Sequence, residues 1–403
     1  MKMKNCSLLF LCSALKQLVI IVSSLLLFAA CKKDANHSPE TEPLTFAEVR
    51  PGDTLIIKGK NFSEVLTNNI VKFNGVEATV ISASPTELKV LVPAGATSGS
   101  ITITVNGVTI EAGSVTIIPF TLYTIKVNYQ NSKQIEQLVS IDPANGKESV
   151  IVTLTDLPKY DNLKHIVYLA STNEIVGLTK NRKNLFKINV TTKQSTLVVL
   201  SDQDNYGFTE LVVDKNANLY ALKEDWSDPK GTQSLVKVDP KTGTTTEVNK
   251  AFEYDNYWHY LVYLGASNEV AGILSGGDRL LKVNLTTKDT STTRISNTRD
   301  ITFDALVADK QSNLYGITYN SVDRSKPPVY QIVKLNGAGE QTVLSTLPQF
   351  AYQYYTAFIP QRNEIAVISQ DKRLYRVNIN TQASTTDDLT RDQSIYYREL
   401  TIN

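Results

Sequence analysis

Cysteine is scarce and confined to the start of the chain, where Cys6, Cys12 and Cys31 are the only three in 403 residues. Removal of a leader ahead of Cys31 leaves no second thiol, which excludes both a disulfide framework and cysteine catalysis. Histidine is equally rare. His37 lies in a polar stretch, His165 lies inside a strand pattern, and only His259 stands where a site could form. There is no H-x-x-x-H pair, no G-x-S-x-G and no glycine loop able to cradle a phosphate; Gly276-Gly277-Asp278 reads as a turn. An excess of one charge is missing too. Without Lys2, Lys4 and Lys16 the chain carries 38 basic against 40 acidic residues, so it lacks the basic patches on which nucleic-acid binding rests. Beyond the leader no apolar run approaches the roughly 20 residues that a spanning helix needs.

The leader itself is present in full. Lys2 and Lys4 make a basic start, Leu18 to Phe28 an apolar run broken only by Ser23 and Ser24, and Ala29-Ala30-Cys31 a small-residue cleavage site. This resembles a bacterial lipoprotein signal over residues 1–30, with Cys31 as the acylated first residue, although Phe28 stands where such signals usually have Leu. The resemblance implies an outer-membrane lipoprotein, on the periplasmic or the cell-surface side, attached to the membrane through the Cys31 lipid alone. Residues 31–43 are polar, hold two prolines and have nothing to pack, as expected of a tether.

Residues 44–118 read as short alternating strands: Thr54 to Lys58, Ile70 to Phe73, Leu88 to Val92 and Ile101 to Val105. Turn signals at Gly59-Lys60-Asn61, Asn74-Gly75 and Gly95 to Gly99 separate them, which is the spacing of a small sandwich. The runs Leu55-Ile56-Ile57-Lys58-Gly59-Lys60-Asn61-Phe62, Val71-Lys72-Phe73-Asn74-Gly75 and Val90-Leu91-Val92-Pro93, with Gly99-Ser100-Ile101-Thr102-Ile103, resemble the IPT/TIG family of immunoglobulin-like domains. The resemblance implies a fold that spaces or pairs other domains, and no chemistry.

From residue 120 to 403 a module repeats. Its marker asparagine falls at Asn173, Asn218, Asn268, Asn313 and Asn363, in steps of 45, 50, 45 and 50 residues. A period in that range belongs to propellers and solenoids. In the clearest copy Phe208 to Asp214 is strand a, Asn218 to Lys223 strand b, Leu235 to Asp239 strand c and Thr244 to Val248 strand d. A further copy has strand b at Leu122-Tyr123 and strand c at Ser140-Ile141-Asp142-Pro143 but no strand a. The missing piece, Tyr397-Arg398-Glu399-Leu400-Thr401-Ile402, matches Phe208 to Val213 and sits at the other end of the chain. The pattern resembles the six-bladed propellers of the NHL and TolB-like kind. The expected fold is therefore all-β: an immunoglobulin-like sandwich, then a six-bladed β-propeller closed by the C-terminal strand.

Loops between d and a and between b and c should share one face of such a disc, and the b-to-c loops alternate between long (Lys223 to Gln233, Tyr319 to Val329) and short. Aromatic residues gather there, including Tyr206, Tyr257, Tyr352 and Trp226; their flat apolar faces and polar handles suit stacking on sugars or gripping peptides. Ten residues before the repeat asparagines stand Leu163, Phe208, Trp258, Phe303 and Gln353, with Tyr397 the counterpart in the split blade, an almost wholly apolar column that places Trp258 in the core. One position on, the column turns polar: Lys164, Thr209, His259, Asp304, Tyr354 and Arg398, expected to ring the mouth of the channel as a ligand-binding site. Asp304 is the sole acid in that ring. Asp161, Asp204 and Asp255 in neighbouring loops are weak candidates for calcium. No catalytic residue, resident metal or cofactor is expected.

These readings converge on a lipid-anchored envelope protein that binds an oligosaccharide or polysaccharide through the aromatic loop face. An envelope protein in place of the glycan, with this chain as scaffold, is the alternative. A lyase or lactonase-type enzyme, which some related propellers are, is a second.

Overall fold

The computed structural model describes residues 38–44, 48–93, 95–130, 133–155, 157, 162–201, 205–227, 231–253, 257–274, 276–296, 301–320, 328–348, 354–360 and 362–403. The described chain is all-β, apart from one 3-10 turn at Leu66–Asn68. It forms two compact units, one ending at Ile117 and one spanning Ile118–Asn403, to which Arg50–Gly52 also belong.

The first unit is an immunoglobulin-like sandwich of eight strands. Period-2 alternation builds it: along Thr54–Lys60 the side chains of Leu55 and Ile57 are buried while Thr54, Ile56 and Lys58 face out. Leu55, Ile57, Val71, Phe73, Leu88, Ile101 and Ile103 make the core. Asn74-Gly75 joins Asn69–Phe73 to Val76–Ser84, and Asn106-Gly107 joins Gly99–Val105 to Val108–Ile117. Both pairs have positive φ at both positions, the primed turn that a two-residue hairpin requires. Within the stretch read as tether, Glu40–Thr41 pairs with Lys60 and Gly59, because the edge of that strand offers its backbone groups a partner.

The second unit is a six-bladed β-propeller of four-stranded sheets. The innermost strands are Ile395–Ile402 in the first blade, then Leu163–Leu169, Tyr206–Val213, Trp258–Leu264, Ile301–Ala308 and Tyr354–Ile359. Second strands are sandwiched between blades and read as continuous apolar runs, with every residue of Glu364–Ser369 buried. Outermost strands such as Ser384–Asp388 and Thr290–Arg294 are rich in Ser and Thr and mostly exposed. In the first blade the innermost strand comes from the C-terminus: Ile395–Ile402 pairs antiparallel with Leu122–Gln130 and packs between the innermost strands of the second and sixth blades. Its end copies a turn used elsewhere. In the third and fifth blades Asp214 and Asp309 accept the backbone N–H of Asn218 and Asn313, and Asn403 accepts that of Thr121 at 2.7 Å in the same way.

The apolar column packs onto small residues of the second strands. A Cβ at Gly177 would overlap Leu163, at Gly272 Trp258, and at Gly316 Phe303. Trp258 is fully buried.

Candidate functional site: collar and shelf

The innermost strands do not run straight. Each of the first five blades has a β-bulge at one height, where extra residues on the innermost strand interrupt its register with the second; the sixth blade pairs without interruption. In four of them the residue at the bulge has a left-handed backbone: His165, Glu210, Tyr260 and Glu399, with φ between 50° and 59°. Each such non-glycine position costs on the order of 1 kcal/mol, so the surrounding contacts must hold it. In the fifth blade the extra residue is Asp304.

These residues converge into a polar collar between the innermost strands. His165 Nδ1 lies 3.6 Å from Glu210 Oε2. The Glu210 carboxylate also accepts the backbone N–H of Tyr260, and Glu399 that of His165, so a carboxylate from one blade serves a bulge in another. Burial works against charge on His165, yet Glu210 and Glu399 hold its pKa above the ordinary imidazole value. Burial would likewise raise the Glu210 carboxyl, but His165 outweighs it and keeps Glu210 low. Glu399 is pushed up by burial, and burial alone lifts Asp304 to about 6. Tyr260 is raised to about 12 by burial and by the charges of Asp304 and Glu210. Past the collar, toward the a-to-b turns, the channel widens into a cavity of about 570 Å³, lined among others by Val167, Val213, Val262, Val307, Phe358 and Thr401.

The second polar assembly joins the second and third blades on the opposite face, where the b-to-c loops lie. Trp226 follows the second strand Leu219–Asp225 and folds back over the start of the innermost strand. Its backbone N–H donates to Asn205 O at 2.8 Å, and the indole lies over Gly207, where a Cβ would overlap the ring. Glycine at 207 is therefore a packing requirement. The other neighbour is Arg182, in a tight b-to-c turn at φ 63°, its guanidinium 5.5 Å from the Trp226 ring centroid. Arg182 also pairs with Glu224, whose other oxygen accepts from Thr209 (3.3 Å) and from Gln233 (3.1 Å). Gln233 in turn accepts the backbone N–H of Trp258 at 2.7 Å, so one hydrogen-bonded chain ties the second, third and fourth blades. This rigid base leaves Trp226 48% exposed. Elsewhere on the same blade, Lys223 Nζ stands 3.9 Å from the Tyr206 ring centroid.

The residues expected to ring the channel mouth are not brought into one ring. Thr209 bonds to Glu224, and Arg398 turns into the first blade to pair with buried Glu136. His259 packs edge-on to Tyr257 at 6.4 Å and near Tyr260 at 6.1 Å. Lys164 is exposed, and Asp304 belongs to the collar. The reason is the bulge: it rotates the strand so that the following residue turns inward. His165, set aside as a strand residue, is thereby a collar member, as are Glu210, Tyr260 and Glu399. Two polar residues in succession between apolar ones, as in Phe208-Thr209-Glu210-Leu211, break the period of two and mark the bulge in the sequence. Tyr129, 51% exposed, stacks on Tyr396 at 5.7 Å, a second aromatic pair that sequence reading had not joined. Cys31, Tyr352, the side chain of Tyr354, and Asp161, Asp204 and Asp255 lie outside the described residues. Among the described residues no group of three or more His, Cys, Asp or Glu side chains is placed to hold a metal ion.

Residues 42–122 match the IPT/TIG domain family. No curated protein matches the chain. Among solved structures it is similar to the nidogen/laminin complex, with a TM-score of 0.51 and 8% identity over 70% of this chain and 98% of that one. It is also similar to a protein of unknown function from Bacteroides thetaiotaomicron VPI-5482, at a TM-score of 0.45 and 14% identity over 88% of this chain and 87% of that chain. A third likeness is to an auxiliary nutrient binding protein of the same organism, at 0.41 and 11% over 88% and 86%. The nidogen/laminin likeness concerns the fold alone.

Proposed function

We propose that this protein is a lipid-anchored binding protein of the cell envelope, held at the outer membrane by the lipid on Cys31, whose propeller takes an oligosaccharide on the face carrying Trp226. The observation that carries this reading is the shelf itself. An indole half exposed to water costs solvation free energy, and here it is held between Gly207 and the Arg182 guanidinium, which lies over part of the ring and leaves the rest to solvent. That preorganised apolar plane, edged by hydrogen-bonding groups, is complementary to a sugar ring, whose C–H face stacks while its hydroxyls meet the polar edge. A further aromatic pair, exposed Tyr129 with Tyr396, lies on the first blade.

The test is a glycan array probed with the purified protein, alongside affinity capture from an envelope extract. Array binding that free oligosaccharide competes away is the expected result. Capture of a single envelope protein with a blank array would replace the glycan by a protein partner.

A further inference from the structure

Resting on that reading, we infer that the shelf selects acidic sugars, and that a uronate carboxylate is the group received by Arg182. The Arg182–Glu224 pair is exposed unequally: 35% of the arginine side chain reaches solvent against 9% of the glutamate. The negative partner is spent on Arg182, Thr209 and Gln233 inside the blade, so the pair shows its positive end to a ligand. A guanidinium carries five N–H donors in a planar fork. Here one terminal nitrogen, Nη2, serves Glu224 and Nε points at Phe208 O at 3.5 Å, which leaves the Nη1 donors of the fork for a planar anion.

Position strengthens the case. The guanidinium lies over the indole, 5.5 Å from its centroid, so a sugar that reaches the exposed part of Trp226 meets Nη1 at the same place. In a neutral hexose the C6 substituent is a hydroxymethyl; in a uronate it is a carboxylate able to accept a charge-assisted hydrogen bond from Nη1.

The experiment compares matched neutral, uronic-acid and sulfated oligosaccharides of the same linkages on the array, with wild type, Arg182→Lys and Trp226→Ala. Charge-assisted bonds of about 1.5–3 kcal/mol correspond to a preference of roughly 10- to 100-fold for the uronate over its neutral counterpart. Arg182→Lys, which keeps the charge facing Glu224 but loses the planar guanidinium, should bring the ratio of uronate to neutral affinity close to one. Trp226→Ala should remove both affinities. Equal or tighter binding of the neutral series, or unchanged uronate preference in Arg182→Lys, overturns the inference and leaves the oligosaccharide reading standing. Preference for sulfated over uronic sugars overturns the carboxylate assignment. A blank array defeats the reading on which the inference rests.

Discussion

The two units of this chain handle buried polarity in opposite ways. In the sandwich the buried polar side chain among the described residues is Asn69, and it is spent on the backbone of Ser63 and Val65, plugging a loop. The propeller buries Glu136, Asp214, Glu224, Gln233, Asp309 and Arg376, several of them linking one strand or blade to another. Buried polar groups cost free energy unless fully partnered, so a fold that needs only cohesion avoids them. Their concentration in one unit marks the two as built differently. The sandwich is held by its apolar core, whereas the propeller is held by apolar packing between blades and, at its centre and rim, by networks whose geometry matters.

The contrast can be broken most severely at the chain end. Deleting 395–403 removes the innermost strand of the first blade and exposes the edge of Leu122–Gln130, so calorimetry should show the propeller transition lost while the sandwich transition persists. A propeller transition at an unchanged temperature would show that the strand pairing contributes no cohesion. Next in size are matched core changes. Phe73→Ala should cost the sandwich about 3–5 kcal/mol through the cavity it leaves, with ligand binding untouched. Glu224→Leu strands the buried Gln233 amide and leaves the Arg182 charge to solvent alone, and should cost the propeller about 1–3 kcal/mol in urea unfolding.

A smaller effect concerns pH. Asp304, Glu399 and His165 all have raised pKa values in the folded propeller, so the stability each contributes is full at acid pH and is lost as pH rises through its own folded value, about 6 for Asp304 and above the ordinary imidazole value for His165. Glu210, held low, contributes in the opposite sense: its share is present above the ordinary carboxylate range and is lost as pH falls through its depressed value. Together they predict a propeller most stable in mild acid. Asp304→Asn should flatten the decline between pH 5 and 8 and stabilise the protein at pH 8 by about 1 kcal/mol, after allowance for its contact with channel water. A melting temperature that climbs steadily from pH 5 to 8 would contradict the collar.

Much of this architecture is written in residues that obey a simple period. The asparagine steps, the apolar column at Leu163, Phe208, Trp258 and Phe303, and the primed turn at Asn74-Gly75 all follow from alternation and turn chemistry, which act locally. The split first blade was legible because Tyr397 to Ile402 repeats Phe208 to Val213. The collar was not, since a bulge adds residues and moves each inward-facing side chain one place beyond the column that alternation picks out. His165, Glu210, Tyr260 and Glu399 became visible only when six strands were set around one axis. Arg182 escaped notice for a related reason: its partners Glu224 and Trp226 are about forty residues away, in the next blade, and no short-range pattern announces them.

The most direct test of the shelf uses the fact that the chain holds just two tryptophans, Trp226 at 48% exposure and Trp258 fully buried. Iodide quenching of tryptophan fluorescence, measured with and without the tightest-binding glycan from the array, reports on Trp226 alone. The shelf predicts that ligand shields the quenchable fraction, and that Trp226→Ala loses both that fraction and the binding at an unchanged melting temperature. Full glycan affinity in Trp226→Ala, or quenching that ligand leaves as it was, would contradict it.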